Sequence, residues 1–331
     1  MSATIRDIRR LTGLSLATIS KYLNGGNVLP ENKARIEEAI RELNFEVNEI
    51  ARWLATSKTR TVGVIVFNIQ SLFNATLLSH ISASLRSAGY GVLICDSADS
   101  ASEEANNIRF LLGKKMDGIL VIPVNGPDHE FDRALQAKVP VVLLDRPHEG
   151  ACCVKIDNAA AAAQAARLLI ENNHRRIAII GSHPEYTGQE RCRGYFAAME
   201  SAGIEVNPEL VQIGKASIQF GYESMKRLLS LPVRPTAALM TNYEITLGAV
   251  MAVNESEVRC PEDISLLGFD NLILSQIVRP KMTMVVQPMK EMGEKAVELL
   301  LGEIEASGAS SAPVSIDLPT EIEIGNSIRR I

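Results

Sequence analysis

Two hydrophobic rhythms divide the chain. Between Ile5 and Leu43 apolar residues recur at spacings of three and four in three short sets: Ile5, Ile8 and Leu11, then Ile19 and Leu23, then Ala34, Ile36, Ala39, Ile40 and Leu43. This is the spacing of a single helix face. Thr4 with Asp7 forms a capping pair, Gly13 supplies a turn, Ser15 can cap a second helix, and Pro30 suits the first turn of a third. Two short helices joined by a tight glycine turn make helix-turn-helix geometry, and the third closes a small core. The pattern predicts a headpiece over residues 1–47.

From Thr61 the rhythm changes to short β-branched runs separated by amphipathic stretches. Strands are predicted at 62–67, 91–96, 118–123, 139–145, 176–181, 237–241 and 265–270, and helices at 77–88, 101–114, 159–172, 188–202, 220–231, 246–256 and 289–306. Strand, helix and strand at this spacing imply parallel sheets with right-handed crossovers. Ligands of such folds sit at the carboxyl ends of the strands. Polar residues stand there: Asn68, Asp96, Asp145 with Arg146, Asn242 and Asp270. One such residue is usually a turn former, whereas several at one edge mark a pocket.

Between the two rhythms lies 48–60, whose first half reads as barely two helical turns and whose second half is a polar Thr/Ser/Lys/Arg linker. A helix that short is not stable alone.

Composition narrows the class. The 331 residues are 46% hydrophobic and 22% charged, ordinary for a globular protein large enough for two or three cores. No apolar run is long enough to span a membrane, and the N-terminus lacks an export signal, so a cytoplasmic protein is expected. The net charge of −5 is uneven: through residue 60, ten basic residues face seven acidic ones, a balance of +3 that leaves −8 for the rest. A basic head on an acidic body fits a polyanion-binding module attached to something else. The five cysteines include no C-x-x-C and no zinc spacing with the five histidines, so buried free thiols and no metal or cofactor are expected.

The words themselves carry a resemblance. Ala3-Thr-Ile-Arg-Asp-Ile, Thr12-Gly-Leu-Ser, Ala17-Thr-Ile-Ser-Lys-Tyr-Leu-Asn24-Gly and Asn48 with Ile-Ala-Arg-x-Leu54 resemble the headpiece of the lactose-repressor (LacI/GalR) family of bacterial transcription regulators. In the body, Val141-Val-Leu-Leu-Asp-Arg146, Ile156-Asp-Asn158, His174-Arg-Arg-Ile-Ala178, Arg191-x-Arg-Gly-Tyr195 and Leu266-Leu-Gly-Phe-Asp-Asn271 continue it in the same order. The resemblance implies an α/β fold: the helix-turn-helix headpiece followed by a two-lobed body of periplasmic-binding-protein type I architecture. Lobe one would take 61–157 and 288–316, and lobe two 158–287 and 317–331.

It also implies sites. The second helix would enter the major groove of a pseudo-palindromic double-stranded operator. Leu16 and Ala17 would face bases, for instance a thymine methyl, and Lys21 a base or phosphate, while Ser15, Thr18, Ser20 and Asn24 would hold phosphates, and Thr4 is a further DNA-binding residue. Leu16 has a second reading as part of the core, three residues before Ile19. Residues 48–55 would form a hinge helix paired in the minor groove, with Leu54 as a wedge beside Ala55. In the cleft, Asp145, Arg146, Arg191, Asn242 and Asp270, with Phe67, Phe73 and Asn74 from the first lobe, would bind a small effector: a sugar, sugar acid or sugar phosphate. An ion pair between Arg191 and Asp270 is the structural alternative. Ala216 and Tyr243 depart from the family's usual phrases, and Phe73, Tyr243 or Phe220 could supply the ring missing at Ala216.

No G-x-G-x-x-G follows a strand, Gly113-Lys114-Lys115 is not a phosphate loop, and no H-E-x-x-H occurs. The expected function is therefore a non-enzymatic, DNA-binding repressor of carbohydrate genes, acting as a homodimer and switched by a small effector. The rivals are a solute sensor working through a protein partner and a two-lobed sugar-modifying enzyme. Salt separates the first rival, because duplex binding weakens steeply with added salt through counterion release.

Overall fold

Alternation along the body resolves into two six-stranded sheets with one and the same strand order. The computed structural model describes residues 3–23, 26–45, 58–124, 129–270, 277–306 and 312–331, and its chain divides into units 1–60 and 61–331.

In the first unit, α1 (Ile5–Thr12), α2 (Leu16–Leu23) and α3 (Pro30–Glu42) enclose Ile8, Ile19, Ile36 and Ala39. Gly13 ends α1 with φ +67° and its N–H on the Arg9 carbonyl at 2.8 Å, a left-handed cap that a residue with a Cβ would strain. The Tyr22 hydroxyl donates to Glu37 at 2.8 Å and Arg35 donates to the Thr12 carbonyl, tying α2 and α1 to α3.

In the second unit, β1 (Thr61–Val66), β2 (Gly91–Asp96), β3 (Gly118–Ile122), β4 (Val141–Leu144) and β5 (Cys152–Ile156) come first. Then follow β6 (Ile177–Ser182), β7 (Val211–Gly214), β8 (Ala237–Met240), β9 (Ser265–Phe269) and β10 (Thr283–Val286), and finally β11 (Ser315–Leu318) and β12 (Glu321–Glu323). The sheets run β11-β5-β4-β3-β1-β2 and β12-β10-β9-β8-β6-β7. Every described pairing is parallel except β10 with β12. Central strands bury both faces: on β1, Val62, Val64 and Val66 meet the helices Leu72–Ser87 and Met289–Glu305, while Ile65 joins Ile108 and Leu111 on the other side. That double burial explains why the strands read as continuous apolar runs rather than alternations.

Three chain segments pass between the sheets: after β5, after β10 and after β11. Because β11 pairs with β5 through Leu318, the first sheet reaches two residues past 316, where the sequence reading ended that lobe. The helix Leu72–Ser87 also begins five residues before the expected 77, and five strands (β5, β7, β10, β11 and β12) and the helix His129–Gln136 lie outside the predicted elements. Four cysteines are buried free thiols and Cys260 is half-buried. No described helix is long and apolar enough to cross a membrane, and no metal-holding cluster of His, Cys, Asp or Glu occurs among the described residues.

His174 ties the C-terminal segment to the second lobe. Its Nε2 lies 3.0 Å from the Arg329 carbonyl and therefore donates, which leaves Nδ1 to accept from the Thr236 hydroxyl at 2.9 Å. Burial lowers the imidazole pKa from its ordinary 6.5. The unfolded chain then takes up the proton first, so the stabilisation from neutral His174 is complete above pH 6.5 and is lost as pH falls below it. In urea denaturation, His174→Gln is expected to be less stable at neutral pH and to lose part of the decline in stability below pH 6.5. An unchanged pH slope would contradict the assignment.

Candidate functional site

The headpiece presents the first turn of α2. Ser15 caps this helix, its Oγ accepting the Thr18 N–H at 3.1 Å and lying 2.8 Å from the Thr18 hydroxyl. Ser15, Leu16, Ala17 and Lys21 are exposed, Thr18 and Ser20 are half-buried, and Ile19 turns into the core. Leu16 is 37% exposed and does not pack on that core, so the core reading of Leu16 does not hold. The Thr4 N–H and hydroxyl both donate to Asp7, at 2.9 and 2.7 Å, and these bonds hold the Asp7 carboxyl below its ordinary pKa. Asn24, Leu54 and Ala55, with the hinge stretch 48–55, lie outside the described residues.

The body contains a cavity of about 420 Å³ at the facing strand ends, within the range of small-ligand sites. Its walls include Phe67, Phe73, Asp145, Arg146 and Arg191, with Asn242 and Asp270. Asp145 follows β4 and Asp270 follows β9, third in their sheets, so the two carboxylates occupy equivalent positions. Both adopt left-handed backbone, with φ +68° and +72°, and both donate N–H to the adjacent strand, to Val154 at 2.9 Å and to Val285 at 2.8 Å. Aspartate tolerates this conformation better than most residues, but it still costs energy away from glycine. Such a turn after an apolar strand aims each side chain into the cleft.

The two arginines are already held. Arg191 donates from Nε to Asn158 at 2.7 Å and from Nη1 to the Thr241 carbonyl at 2.6 Å, with its guanidinium 4.3 Å from the Phe269 ring centre. No ion pair joins it to Asp270 among the described residues, and Asp270 instead accepts from Gln287. Arg146 donates to the Pro123 carbonyl, stands 4.0 Å from Asp145 and lies 5.0 Å over Phe67. Burial raises the Asp145 pKa and lowers that of Arg146, each against the opposite charge beside it. Asn242 caps the helix Tyr243–Asn254 through the Ile245 N–H at 2.8 Å, so its carbonyl oxygen is taken and its amide nitrogen remains for a ligand.

Two expectations shift. Asn74 does not line the cleft: it is fully buried and donates to the Asn68 carbonyl at 2.7 Å, shaping the loop between Phe67 and the helix that carries Phe73. Asp96 is a turn former that accepts the Ile69 and Ala98 N–H groups, both at 3.1 Å. Of the three rings considered, Phe73 and Tyr243 line the cleft, whereas Phe220 packs on the core. The cleft also gathers residues that strand-end reasoning missed: Asp99, Glu185, Lys215, Glu244 and Gln287. Glu244 follows the signalled Asn242 by two positions, and Gln287 ends a strand that the pattern did not show.

Comparison with known proteins agrees with both halves. The family model described as bacterial regulatory proteins, lacI family, matches residues 4–48, and that described as periplasmic binding protein-like domain matches 166–328. Catabolite control protein A of Priestia megaterium is 31% identical, covering 99% of this chain and all of its own length. The ribose operon repressor of Escherichia coli is 30% identical over 91% of this chain and 93% of its own. A solved complex of the transcriptional regulator CelR with cellobiose superposes with a TM-score of 0.74 at 28% identity, covering 98% of this chain and 99% of that one. A helix-turn-helix headpiece of that family, joined to two parallel-sheet lobes and accompanied by relatives of full length, leaves one assignment: the chain belongs to the lacI family of bacterial regulatory proteins and is a DNA-binding transcription regulator.

Proposed function

We propose that the chain represses carbohydrate-utilisation genes from the cytoplasm, as a homodimer on a two-fold operator, and that a sugar-sized effector in the cleft sets its state. The cleft is the observation that carries this reading: equivalent carboxylates Asp145 and Asp270 face a small-ligand volume beside Arg191 and Asn242. Carboxylates accept from vicinal hydroxyls and an arginine donates to them, which is polyol chemistry. The relatives named for ribose and cellobiose point the same way. On the DNA side, the exposed Leu16 and Ala17 offer apolar contact to base edges while Lys21 and Ser15 reach phosphate.

The cleft is wired to the crossings between lobes. Asn158, just past the first crossing, accepts from Arg191, and Gln287, in the second, donates to Asp270. A ligand that pulls on Arg191 or Asp270 therefore acts one hydrogen bond from the segments that set the lobe angle. It shifts the equilibrium only by the difference in its affinity for the two states. Relatives that are regulators rather than catalysts leave enzymatic chemistry out of this reading.

Arg191→Gln tests the site. Against a panel of sugars, the effector that raises the melting temperature of the parent is expected to bind the variant on the order of tenfold to a hundredfold more weakly, the span for hydrogen bonds to a charged group. Operator affinity without effector should stay near the parent's and keep its steep salt dependence. An unchanged ligand response removes Arg191 from the site, and salt-insensitive duplex binding removes the operator.

A further inference from the structure

The cleft is unbalanced in charge and in hydrogen-bonding capacity. Five carboxylates line it, Asp99, Asp145, Glu185, Glu244 and Asp270, against three cations. Of those cations, Arg146 donates to a backbone carbonyl and feels the charges of Asp145, Glu185 and Asp99, Arg191 donates to a second carbonyl, and Lys215 is exposed. Three of the acids converge from opposite lobes: Asp99 follows β2 of the first sheet, while Glu185 follows β6 and Glu244 begins the helix after β8 of the second. All three line the same cavity, and Glu244 is raised from its ordinary pKa by burial and then by Asp99, Glu185 and Asp270. Among the described residues, Asp99 alone of the three takes a side-chain donor, the Asn68 amide at 2.8 Å, and Glu244 accepts no hydrogen bond.

Buried atoms aimed into the same space repeat the pattern. Asp145 Oδ1, Gln287 Oε1 and Glu185 Oε2 are sealed from solvent with no donor, and Asp145 and Gln287 are each only 4% exposed. The Tyr243 hydroxyl, on a side chain 6% exposed that also lines the cleft, is unpartnered too and can donate or accept. Among the described residues of these walls, Arg146 Nε is the one sealed, unpartnered atom that can only donate, and since buried acceptors without donors are costly, the ligand that completes this cleft has to bring mostly donors. Hydroxyls alone bring donors without charge and would leave the acidic surplus of the cleft uncompensated. An ammonium group brings three donors and the missing positive charge together.

We propose that the ligand of this cleft carries a protonated amine on a hydroxyl-bearing body, an amino sugar in chemical class, with the ammonium seated among Asp99, Glu185 and Glu244. The hydroxyls would meet Asp145, Arg191 and Asp270. This rests on the cleft being the effector site and adds the charge of its occupant. It also sets aside the sugar acid and sugar phosphate, whose anions would add to the acidic surplus.

Calorimetric titration at neutral pH with three matched sets decides it: 2-amino-2-deoxyhexoses, their N-acetyl forms with the parent hexoses, and hexose 6-phosphates. An amino sugar is expected to bind best, and N-acetylation, which keeps the body and removes the charge, to weaken it at least about tenfold. Glu244→Gln and Asp99→Asn, the second at an exposed position that does not threaten folding, should each weaken the amino sugar severalfold and the neutral sugars clearly less. Tighter binding of a neutral or phosphorylated hexose than of every amino sugar overturns the ammonium site and leaves the cleft reading standing. Absence of saturable binding by all three sets overturns both.

Discussion

Ile36→Ala is expected to abolish operator binding while the body melts as it does in the parent. Among the described residues the headpiece core has four fully enclosed apolar side chains, Ile8, Ile19, Ile36 and Ala39, with Ile5, Leu14 and Tyr22 among the partly buried residues against it. Truncating a buried isoleucine to alanine costs about 2–5 kcal/mol, through lost transfer energy and the cavity left behind. A unit of this length buries too little surface to hold such a reserve. Loss of one isoleucine therefore unfolds the three helices and removes the face formed by Ser15, Leu16, Ala17 and Lys21. Thermal melts followed by circular dichroism, paired with gel-shift titration, should show an early transition lost and the later one kept. The milder Ile36→Val costs about 0.5–1.5 kcal/mol and should weaken binding without erasing it. Full operator affinity in Ile36→Ala would mean that the headpiece does not depend on this core.

Gly248→Ala should be the most damaging single methyl in the body. The helices Ile218–Leu229 and Tyr243–Asn254 pack backbone to backbone, and a Cβ on Gly248 would collide with the Ile218 carbonyl oxygen and stand 2.6 Å from the Tyr222 nitrogen. Gly221 has the reciprocal problem against Ile245. Backbone cannot swing aside as a side chain can, so the helices must separate, at about 3 kcal/mol or more. The effect reaches the cleft, because the displaced helix carries Tyr243 and Glu244 in its first turn and Asn242 as its cap. Urea denaturation should show the loss, and effector affinity should fall with it. Gly302→Ala is the control: nothing lies within 4 Å of its Cβ position in a helix, so removing backbone freedom should stabilise by about 0.5–1 kcal/mol. Equal effects in the two variants would refute the close packing.

The helix-turn-helix and the alternating body were legible because central parallel strands and short amphipathic helices leave strong local patterns. Of the edge strands only β2 does, and the short interior strands β5 and β10 were missed as well. Val211–Gly214 is only half-buried, and Ser315–Leu318 and Glu321–Glu323 are short and charged, so their pairing is decided by what lies beside them in space. The cleft was legible where family phrases mark it, at Asp145, Arg191, Asn242 and Asp270. It was not legible at Asp99, Glu185 and Glu244, which stand apart in sequence and come to one cavity only through folding. Strand-end reasoning chose Asp96, whose carboxylate is consumed by its own turn, over Asp99 three residues on, which reaches the cavity. Asn74 misled in the opposite way, since a polar residue beside the lining loop serves that loop rather than its ligand.

The equal strand order of the two sheets has a mechanical consequence. All three crossings leave from the β11-β5 and β12-β10 side, so any rotation between lobes pivots there, and β2 and β7 form the outer rim. From β5 to β2 is four strand spacings, about 19 Å, so each degree of rotation sweeps the rim by roughly a third of an ångström. Asp145, Asp270 and Gln287 work near the pivot, where gaps scarcely change and ligand shape is gauged; Asp99 and Lys215, just past β2 and β7, ride the long arm. A charge drawn in at that rim exerts the greater torque for the same force. Leverage, more than the number of contacts, then determines which part of a ligand turns the body.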